Sequence, residues 1–394
     1  MPAIKFRGVD FLEFDTLLSD DERLVRDTAR KFIEDNLIPI IEECNRAGRF
    51  PRELVKPMAD LGFFGANLKG YGCAGMSNVE YGLVTQELER GDSGVRSFVS
   101  VQSALVMYPI YTFGSDEQKN HWLPRLQKGE LIGCFGLTEP DFGSNPSGMR
   151  ATAIDDGDSY VLNGTKRWIT NGNMAHVALV WAKVGGVDGE VRGFLVPTDA
   201  KGFEARLIHK KASLRASVTS ELILEDVRVK KDAILPNVRG MKGPLSTLTA
   251  ARFGISWGVI GAATACFDCA VDYAKHRVQF AGKPIASHQL VQAKLAQCLT
   301  QITNMQLLAM EAARLKAEKK LRPPHVSMIK RHNVHAALEV SRVCREILGG
   351  NGITLEYPIM RHMCNLETVF TYEGTHDIHT LVLGQEVTGI AAFE

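Results

Sequence analysis

Three stretches with apolar residues at helical spacing, residues 248–280, 288–320 and 326–348, fill most of the last third of this chain. Helices of that length lie well beyond the usual globular ~10–14 residues, and helices so long bury their stripes by covering one another. They therefore predict a helical bundle. Upstream, from about residue 132, the texture changes to short runs rich in β-branched and aromatic residues at 160–162, 177–181, 193–196 and 221–224, closing near Val227-Arg228-Val229. Asn163-Gly164 between two such runs is the strongest local hairpin signal, because a type I′ turn needs positive φ at both central residues.

The chain opens helically. Ser19 followed by Glu22 forms a capping-box pattern, and Leu24, Val25, Ala29, Phe32 and Ile33 then recur at helical spacing. The same character continues over residues 81–90, 99–113 and 117–127. The order predicts an α+β multidomain chain with an N-terminal all-α domain over residues 1–131, a mainly antiparallel middle β domain over 132–243 and a C-terminal helical bundle over 244–394. Residues 70–75 satisfy G-x-G-x-x-G, but no β-rich run precedes them and no βαβ pattern follows, so they are read as a turn.

A net charge of +1 supplies no global field for DNA or anionic membranes. The cluster Arg314, Lys316, Lys319 and Lys320 is read as a solvated helix end. Eight scattered cysteines show no disulfide framework, which favours a reducing compartment, and Cys266-x-x-Cys269 lies in an apolar helical pattern that favours packing over redox or metal chemistry. No apolar stretch is judged to approach the ~20 residues that span a bilayer. Residues 1–14 carry no visible leader pattern, and the final residues are not a peroxisomal tripeptide. A bacterial cytoplasm is the simplest setting, and a processed mitochondrial matrix protein would look the same.

Chemistry concentrates in a few segments. Thr371-Tyr372-Glu373-Gly374-Thr375-His376 places one carboxylate among small residues and hydroxyls after a helical region; Glu373 is either a general base or an ordinary exposed glutamate. His376 and His379 at i, i+3 are a weak metal pair without a third ligand, and hydrogen-bonding histidines are the simpler reading. Arg96 either binds an anionic group or pairs with Asp92 at helical spacing. Three further segments are Phe135-Gly136-Leu137-Thr138-Glu139-Pro140, Lys166-Arg167-Trp168-Ile169-Thr170-Asn171 and Leu348-Gly349-Gly350-Asn351-Gly352.

In this order and at these separations, the four segments resemble the acyl-CoA dehydrogenase family, and within it the branch that oxidises glutaryl-CoA. The match extends over nearly the full chain. Removing a proton beside a thioester and a hydride from the next carbon requires a hydride acceptor that no side chain provides, and the resemblance implies FAD. It assigns Glu373 as the base, with Gly374 giving the thioester room. Phe135, Leu137, Thr138, Gly143 and Ser144 would line the flavin on one side. Trp168 and Thr170 would close the other, with Ile169 and Thr375 as further cofactor contacts, although Trp168 read alone could be a β-domain core residue. Arg277, Phe280, Gln289, Glu346, Leu348, Gly349 and Gly350 would hold the adenine and pyrophosphate half, partly from a neighbouring subunit.

The chain departs from the family at Gln279-Phe280-Ala281-Gly282-Lys283-Pro284, one residue longer than the usual run. That insertion disturbs the matching after Phe280, Gln289 included. For the substrate, the resemblance assigns Arg96 to the distal carboxylate, with Glu89, Ser97, Ser100, Ser144, Leu245, Arg252 and Gly374 around the acyl group. A guanidinium fork suits a carboxylate, and an unpaired buried one is costly. The implied enzyme is a homotetramer that converts glutaryl-CoA to crotonyl-CoA and carbon dioxide and passes electrons to an electron-transferring flavoprotein. A short-chain acyl-CoA dehydrogenase or oxidase is the close rival, and a catalytically silent scaffold the distant one.

Overall fold

The computed structural model describes residues 8–393. Readings that rest on residues 1–7 and on Glu394 lie outside the described residues.

Helix α1 (Asp20–Phe32) starts at the anticipated capping box: Glu22 N donates to Ser19 Oγ at 3.2 Å, and Ser19 N donates to Glu22 Oε2 at 2.9 Å. It is followed by α2 (Ile38–Ala47), α3 (Val55–Asp60), α4 (Asn78–Gly91), α5 (Ser93–Ser100), α6 (Tyr108–Phe113) and α7 (Asp116–Gln127). Between α5 and α6 the path stays helical but widens to π-type turns over Val101–Met107. From this segment Gln102 donates to Leu126 O and Leu131 O and accepts from Gly133 N, each at 2.9 Å. One buried amide thus ties the helical domain to the first strand.

The middle domain is a seven-stranded sheet of β1 (Gly133–Gly136), β2 (Thr152–Asp156), β3 (Ser159–Thr170), β4 (Val177–Val184), β5 (Glu190–Pro197), β6 (Phe203–Leu207) and β7 (Thr219–Lys230). The strand order is β1-β4-β2-β3-β7-β6, with β5 pairing β4. Most pairings are antiparallel, but β4 runs parallel to both β1 and β2.

The Asn163-Gly164 expectation is corrected: the pair lies inside β3, at a bulge against β7, and the β2–β3 hairpin turns at Gly157 instead. Asn163 Nδ2 donates to Asp226 Oδ1 at 3.0 Å while its Oδ1 accepts from Asp226 N at 2.9 Å. The amide side chain occupies groups that the ladder leaves open at a bulge. Gly164 has φ +143, and a Cβ there would sit 2.7 Å from that of Ala151. An Asn-Gly pair therefore marks a different use of positive φ.

The C-terminal part comprises α8 (Lys242–His276), a ribbon of β8 (Val278–Gln279) and β9 (Lys283–Pro284), then α9 (Gln289–Ala317), α10 (Pro323–Ile347), α11 (Pro358–Thr371) and α12 (His376–Thr388). The first long helix stops at His276 rather than Phe280. Phe280, Ala281 and Gly282, all at positive φ, form the ribbon's tip, so the extra residue is absorbed in a turn.

By length and composition α8 could cross a membrane, which corrects the expectation that no stretch comes near that limit. In the fold, 78% of its most apolar window is buried inside protein, where it serves as the bundle's core helix. Lys316 is likewise corrected from a solvated helix end. It is half-buried, with Nζ 4.0 Å from the Phe253 ring centroid, and burial pushes its pKa down to about 8. The eight cysteines are free; Cys266 is buried and Cys269 half-buried in α8, as packing requires.

The corner between α4 and α5 is locked to α11 by Asp92, which is fully buried. Its carboxylate accepts from Gly94 N at 2.7 Å, Arg361 Nη1 at 2.6 Å and Asn365 Nδ2 at 2.9 Å. Removing one partner of a buried pair leaves the other charged and desolvated, at a cost of about 3–5 kcal/mol. Asp92→Ala is expected to lose about that much stability, read as a lowered denaturant midpoint, with Asp92→Asn losing less.

Candidate active site

Helix α11 ends at Thr371, and the chain turns through Tyr372, Glu373 (φ +51) and Gly374 (φ +90) before Thr375 caps α12, its Oγ1 accepting from Ile378 N at 3.2 Å. A non-glycine residue in the left-handed region costs on the order of 1–2 kcal/mol, so the surrounding structure must hold it. Gly374 cannot be replaced freely, since a Cβ there would lie 2.8 Å from His379 Nε2. The carbonyls of this turn meet cations. Arg252 Nε donates to Glu373 O at 2.6 Å, and Lys330 Nζ donates to Tyr372 O at 3.1 Å and Gly374 O at 2.9 Å.

Glu373 as a whole is half-buried, but its Oε2 is enclosed and has no hydrogen-bond partner. Burial raises its pKa, while the charges of Arg96, Arg252 and Lys330 pull the other way. The reading of Glu373 as a merely exposed glutamate does not fit this environment.

Arg96, on α5, is fully buried. Its Nε donates to Glu89 Oε2 at 2.6 Å and its Nη2 to the Tyr372 hydroxyl, leaving Nη1 without a partner. Burial opposes its charge, yet Glu89 and Tyr372 outweigh that and raise its pKa above the usual arginine value. Asp92 is engaged elsewhere, so the Arg96–Asp92 pairing is not formed. Glu89 Oε1, Ser100 Oγ, Tyr81 Oη and Trp257 Nε1 are also buried without partners. Ser97 is buried beside them on α5, and Leu245 is exposed near the start of α8. Gly258 makes the ion pair possible, because a Cβ there would collide with Glu89 Oε2 and crowd Arg96 Nε.

A second group assembles on the sheet. Phe135 and Leu137 are buried, Thr138 is half-buried, and Gly143 and Ser144 are exposed. Arg167 N donates to Thr138 O at 2.8 Å, joining this segment to β3. There Arg167 and Trp168 face the single residue Glu221 of β7, a bulge that re-aims the side chain. Trp168, at φ +63, is 57% exposed with the Arg167 guanidinium 5.1 Å from its ring centroid, which rules out the core reading. Ile169 is buried in the sheet's core and Thr170 is half-buried.

Beneath this segment, Lys166 is fully buried and donates to Leu137 O at 3.1 Å and Glu139 Oε1 at 2.8 Å. Burial pushes Lys166 down to about 8 against the pull of Glu139. Glu139 is held below its usual pKa despite burial, by Lys166 and by the N–H groups of Arg150 and Ala151.

A third group lies around the β8–β9 ribbon and the end of α10. Arg277, Phe280 and Gln289 are exposed around the β8–β9 ribbon, with Phe280 at 82%. Glu346 is exposed and pairs with Lys294 at 2.9 Å, and Gly349 and Gly350 are exposed with open space around them. Leu348 is buried in the bundle, so its side chain serves packing. Among the described residues, no hydrogen bond or ion pair joins this group to Glu373 or Trp168.

The histidines act as hydrogen-bonding and stacking groups. His379 Nδ1 lies 3.0 Å from Ser327 Oγ, and burial with nearby cations pushes its pKa down to about 3. His376 stacks on Phe370 at 4.6 Å. Among the described residues, no cluster of three or more histidine, cysteine, aspartate or glutamate side chains is arranged to hold a metal.

Sequence reading did not single out Lys330, Trp257 or Tyr81, and it quoted Lys166 within a motif without giving it a role. For Lys330 a signal existed: with Asn333 it falls in the buried stripe of α10 formed by Val326, Ile329, Val334 and Ala337. A charge at a core register position asks for a partner.

Profiles of the N-terminal, middle and C-terminal domains of acyl-CoA dehydrogenases match residues 19–130, 134–227 and 238–388. The mitochondrial short-chain specific acyl-CoA dehydrogenase of Bos taurus is 36% identical over 371 residues, 93% of this chain and 90% of that protein. Among solved structures, a glutaryl-CoA dehydrogenase from Mycobacterium smegmatis in complex with FADH2 has a TM-score of 0.97 at 50% identity, covering 99% of this chain and 100% of the other. A chain in the structure of the electron transferring flavoprotein of Acidaminococcus fermentans has a TM-score of 0.90 at 34% identity, over 94% of this chain and 98% of that one. All three domains find their counterparts in one order, and the chain belongs to the acyl-CoA dehydrogenase family.

Proposed function

We propose that this protein is a flavin-dependent acyl-CoA dehydrogenase acting on glutaryl-CoA, which it oxidises and decarboxylates to crotonyl-CoA and carbon dioxide. The observation that carries the substrate is Arg96: a fully buried guanidinium with one nitrogen unpartnered, next to an unpartnered Ser100 hydroxyl. A buried donor left unmet costs free energy that a carboxylate recovers and a hydrocarbon tail does not. Charge agrees, since Arg96, Arg252 and Lys330 all act on Glu373 and Arg96 is also paired with Glu89. An acyl group ending in a carboxylate supplies the missing negative charge.

The residues present fit a flavin. The bulge turns the Trp168 indole outward beside the Thr170 hydroxyl, a surface suited to stacking on a planar ring. Gly143 carries no obstacle to close backbone approach. Phe135, Leu137, Thr138, Ser144, Ile169, Thr170 and Thr375 are the contacts we assign around the ring system. Arg277, Phe280, Gln289, Glu346, Leu348, Gly349 and Gly350 are assigned to the adenine and pyrophosphate half. A homotetramer in which a neighbouring subunit supplies part of this cradle is the assembly we assign. Bound there, FAD supplies an acceptor for the hydride that leaves the substrate's β-carbon.

The chain's own residues perform the rest. Glu373 takes the α-proton of the thioester, and Arg96 with Ser100 fixes the distal carboxylate so that the α- and β-carbons are placed in one register. After oxidation, the carboxylate's C–C bond breaks, carbon dioxide leaves, and the electron pair is absorbed by the conjugated thioester. Glu373 then returns its proton, giving crotonyl-CoA. Glu89 and Tyr372 hold Arg96 in place through both stages. Electrons would pass on to an electron-transferring flavoprotein. A bacterial cytoplasm is the setting proposed, a processed mitochondrial matrix form being the alternative.

Anaerobic bleaching of the bound flavin by glutaryl-CoA and by butyryl-CoA, with products identified by mass, tests this reading. Faster bleaching by glutaryl-CoA with crotonyl-CoA formed is the expected result. Glutaconyl-CoA alone would remove the decarboxylation, and preference for butyryl-CoA would move the protein to the short-chain enzymes. Arg96→Gln is expected to reduce the glutaryl-over-butyryl preference by about 30-fold, the lower end of what a buried charge partner is worth. Equal losses on both substrates would take Arg96 out of the specificity argument.

The base must be ionised to act, and burial raises its pKa, so kcat/KM is expected to fall as pH drops through a value above the ordinary ~4.3 of glutamate. Arg96 stabilises the carboxylate form; its removal is therefore expected to move this acid limb to higher pH. A limb that stays in place or moves down in Arg96→Gln would contradict the assigned electrostatics.

A further inference from the structure

Lys330 lies on the inward face of α10 and is 1% exposed. An ammonium so placed costs several kcal/mol unless acceptors surround it, and its usual counterion is a carboxylate within bonding distance. Among the described residues, Lys330 forms no ion pair. Its bonds run instead to two main-chain carbonyls, Tyr372 O and Gly374 O, on either side of Glu373. Arg252 takes the carbonyl between them. Three successive carbonyls thus each receive an N–H from a basic side chain, in a turn where α11 has ended and α12 has not begun. Apart from the closing bond of α11, in which Tyr372 N donates to Thr368 O at 2.9 Å, the segment lies outside both helices, and the non-glycine Glu373 at positive φ is strained where Gly374 is not.

We propose that Lys330 is a positioning residue for the reaction: by bridging the carbonyls that flank Glu373, it fixes the left-handed turn and so the orientation of the carboxylate. This inference rests on the reading of Glu373 as the base. Lysine suits the task because its three N–H donors radiate from one atom and reach carbonyls two residues apart, whereas a planar amide or guanidinium is bound to its own plane. Lys330 acts through the main chain, so its loss should alter where the carboxylate sits while leaving acyl-CoA recognition in the hands of Arg96. A displacement of roughly 1 Å at a reacting group is worth about 100-fold in rate.

The test compares holoenzymes of wild type, Lys330→Met, Lys330→Gln and Glu373→Gln. Lys330→Met is expected to retain its flavin and a half-saturating glutaryl-CoA concentration within about threefold of wild type, while anaerobic bleaching slows about 100-fold. Lys330→Gln, which can still donate to one carbonyl, is expected to fall between the two. Independently of turnover, hydrogen exchange of the backbone amides in residues 372–376 should quicken at least about tenfold as the turn loosens. Bleaching within threefold of wild type in Lys330→Met, or a loss expressed in half-saturation alone, would overturn the proposal. Should Lys330→Met fail to yield soluble flavoprotein, Lys330→Gln is judged by the same limits; failure of both would show a purely structural lysine and also overturn it. Glu373→Gln separates the two ideas. If it bleaches at the wild-type rate, the base assignment falls; if it is inert while Lys330→Met is unimpaired, only the role of Lys330 falls.

Discussion

The placement of the Glu89–Arg96 pair and of Arg252 near Glu373 depends on how closely α8 approaches α4. A Cβ at Gly261 would overlap Gln86 O, and one at Gly82 would enter the Trp257 ring, so the two helices meet backbone to side chain where larger residues would force them apart. Packing at interior density makes such a distance a discrete property of the interface. Along α8 this approach places Gly258 against the Glu89–Arg96 pair, Trp257 against α4, and Arg252 under the turn that carries Glu373. The specificity end and the proposed base are therefore referenced to one rigid element.

Around that element lies an unusual density of desolvated charge. Asp92–Arg361 is fully satisfied and ties α5 to α11. Glu89–Arg96 is only partly satisfied, with an oxygen and a nitrogen left over, and Glu373 has an enclosed oxygen without a partner. Burying charge is costly, and unmet hydrogen-bonding capacity costs more. The contrast separates two kinds of buried charge: the complete network holds the corner between helices, while the incomplete one keeps an Arg96 N–H free, the donor to which we assign the substrate's carboxylate. The Lys166–Glu139 pair belongs to the first kind, bracing the segment from Phe135 to Glu139 beneath the surface that Trp168 presents.

Much of this was legible beforehand. The α, β, α order, the capping box at Ser19 and the long bundle helices follow from local periodicity and side-chain chemistry that neighbours do not override. Glu373, Arg96, Glu89 and Trp168 were singled out as candidates through motif and resemblance. Asn163-Gly164 misled because positive φ serves a bulge as well as a hairpin, and only the partner strand decides which. Lys316 misled because a charge near a helix end looks solvated until Phe253 is packed across it. The apolar run of α8 was underestimated, since glycines and alanines dilute it to the eye while leaving it fit for a core.

The sequence by itself determined which segments are helices and strands, that the chain carries the fold of its family, and which residue types are available for acid–base chemistry and anion binding. These depend on interactions a few residues apart. Only the tertiary structure decided that Arg96 is paired with Glu89 and Tyr372 rather than Asp92, that Trp168 faces outward, and that Lys330 and Arg252 grip the turn of Glu373. These contacts join residues up to 276 positions apart, and their strength comes from the low-dielectric interior that packing creates. No local pattern encodes that environment, because it exists only once the helices have closed around it.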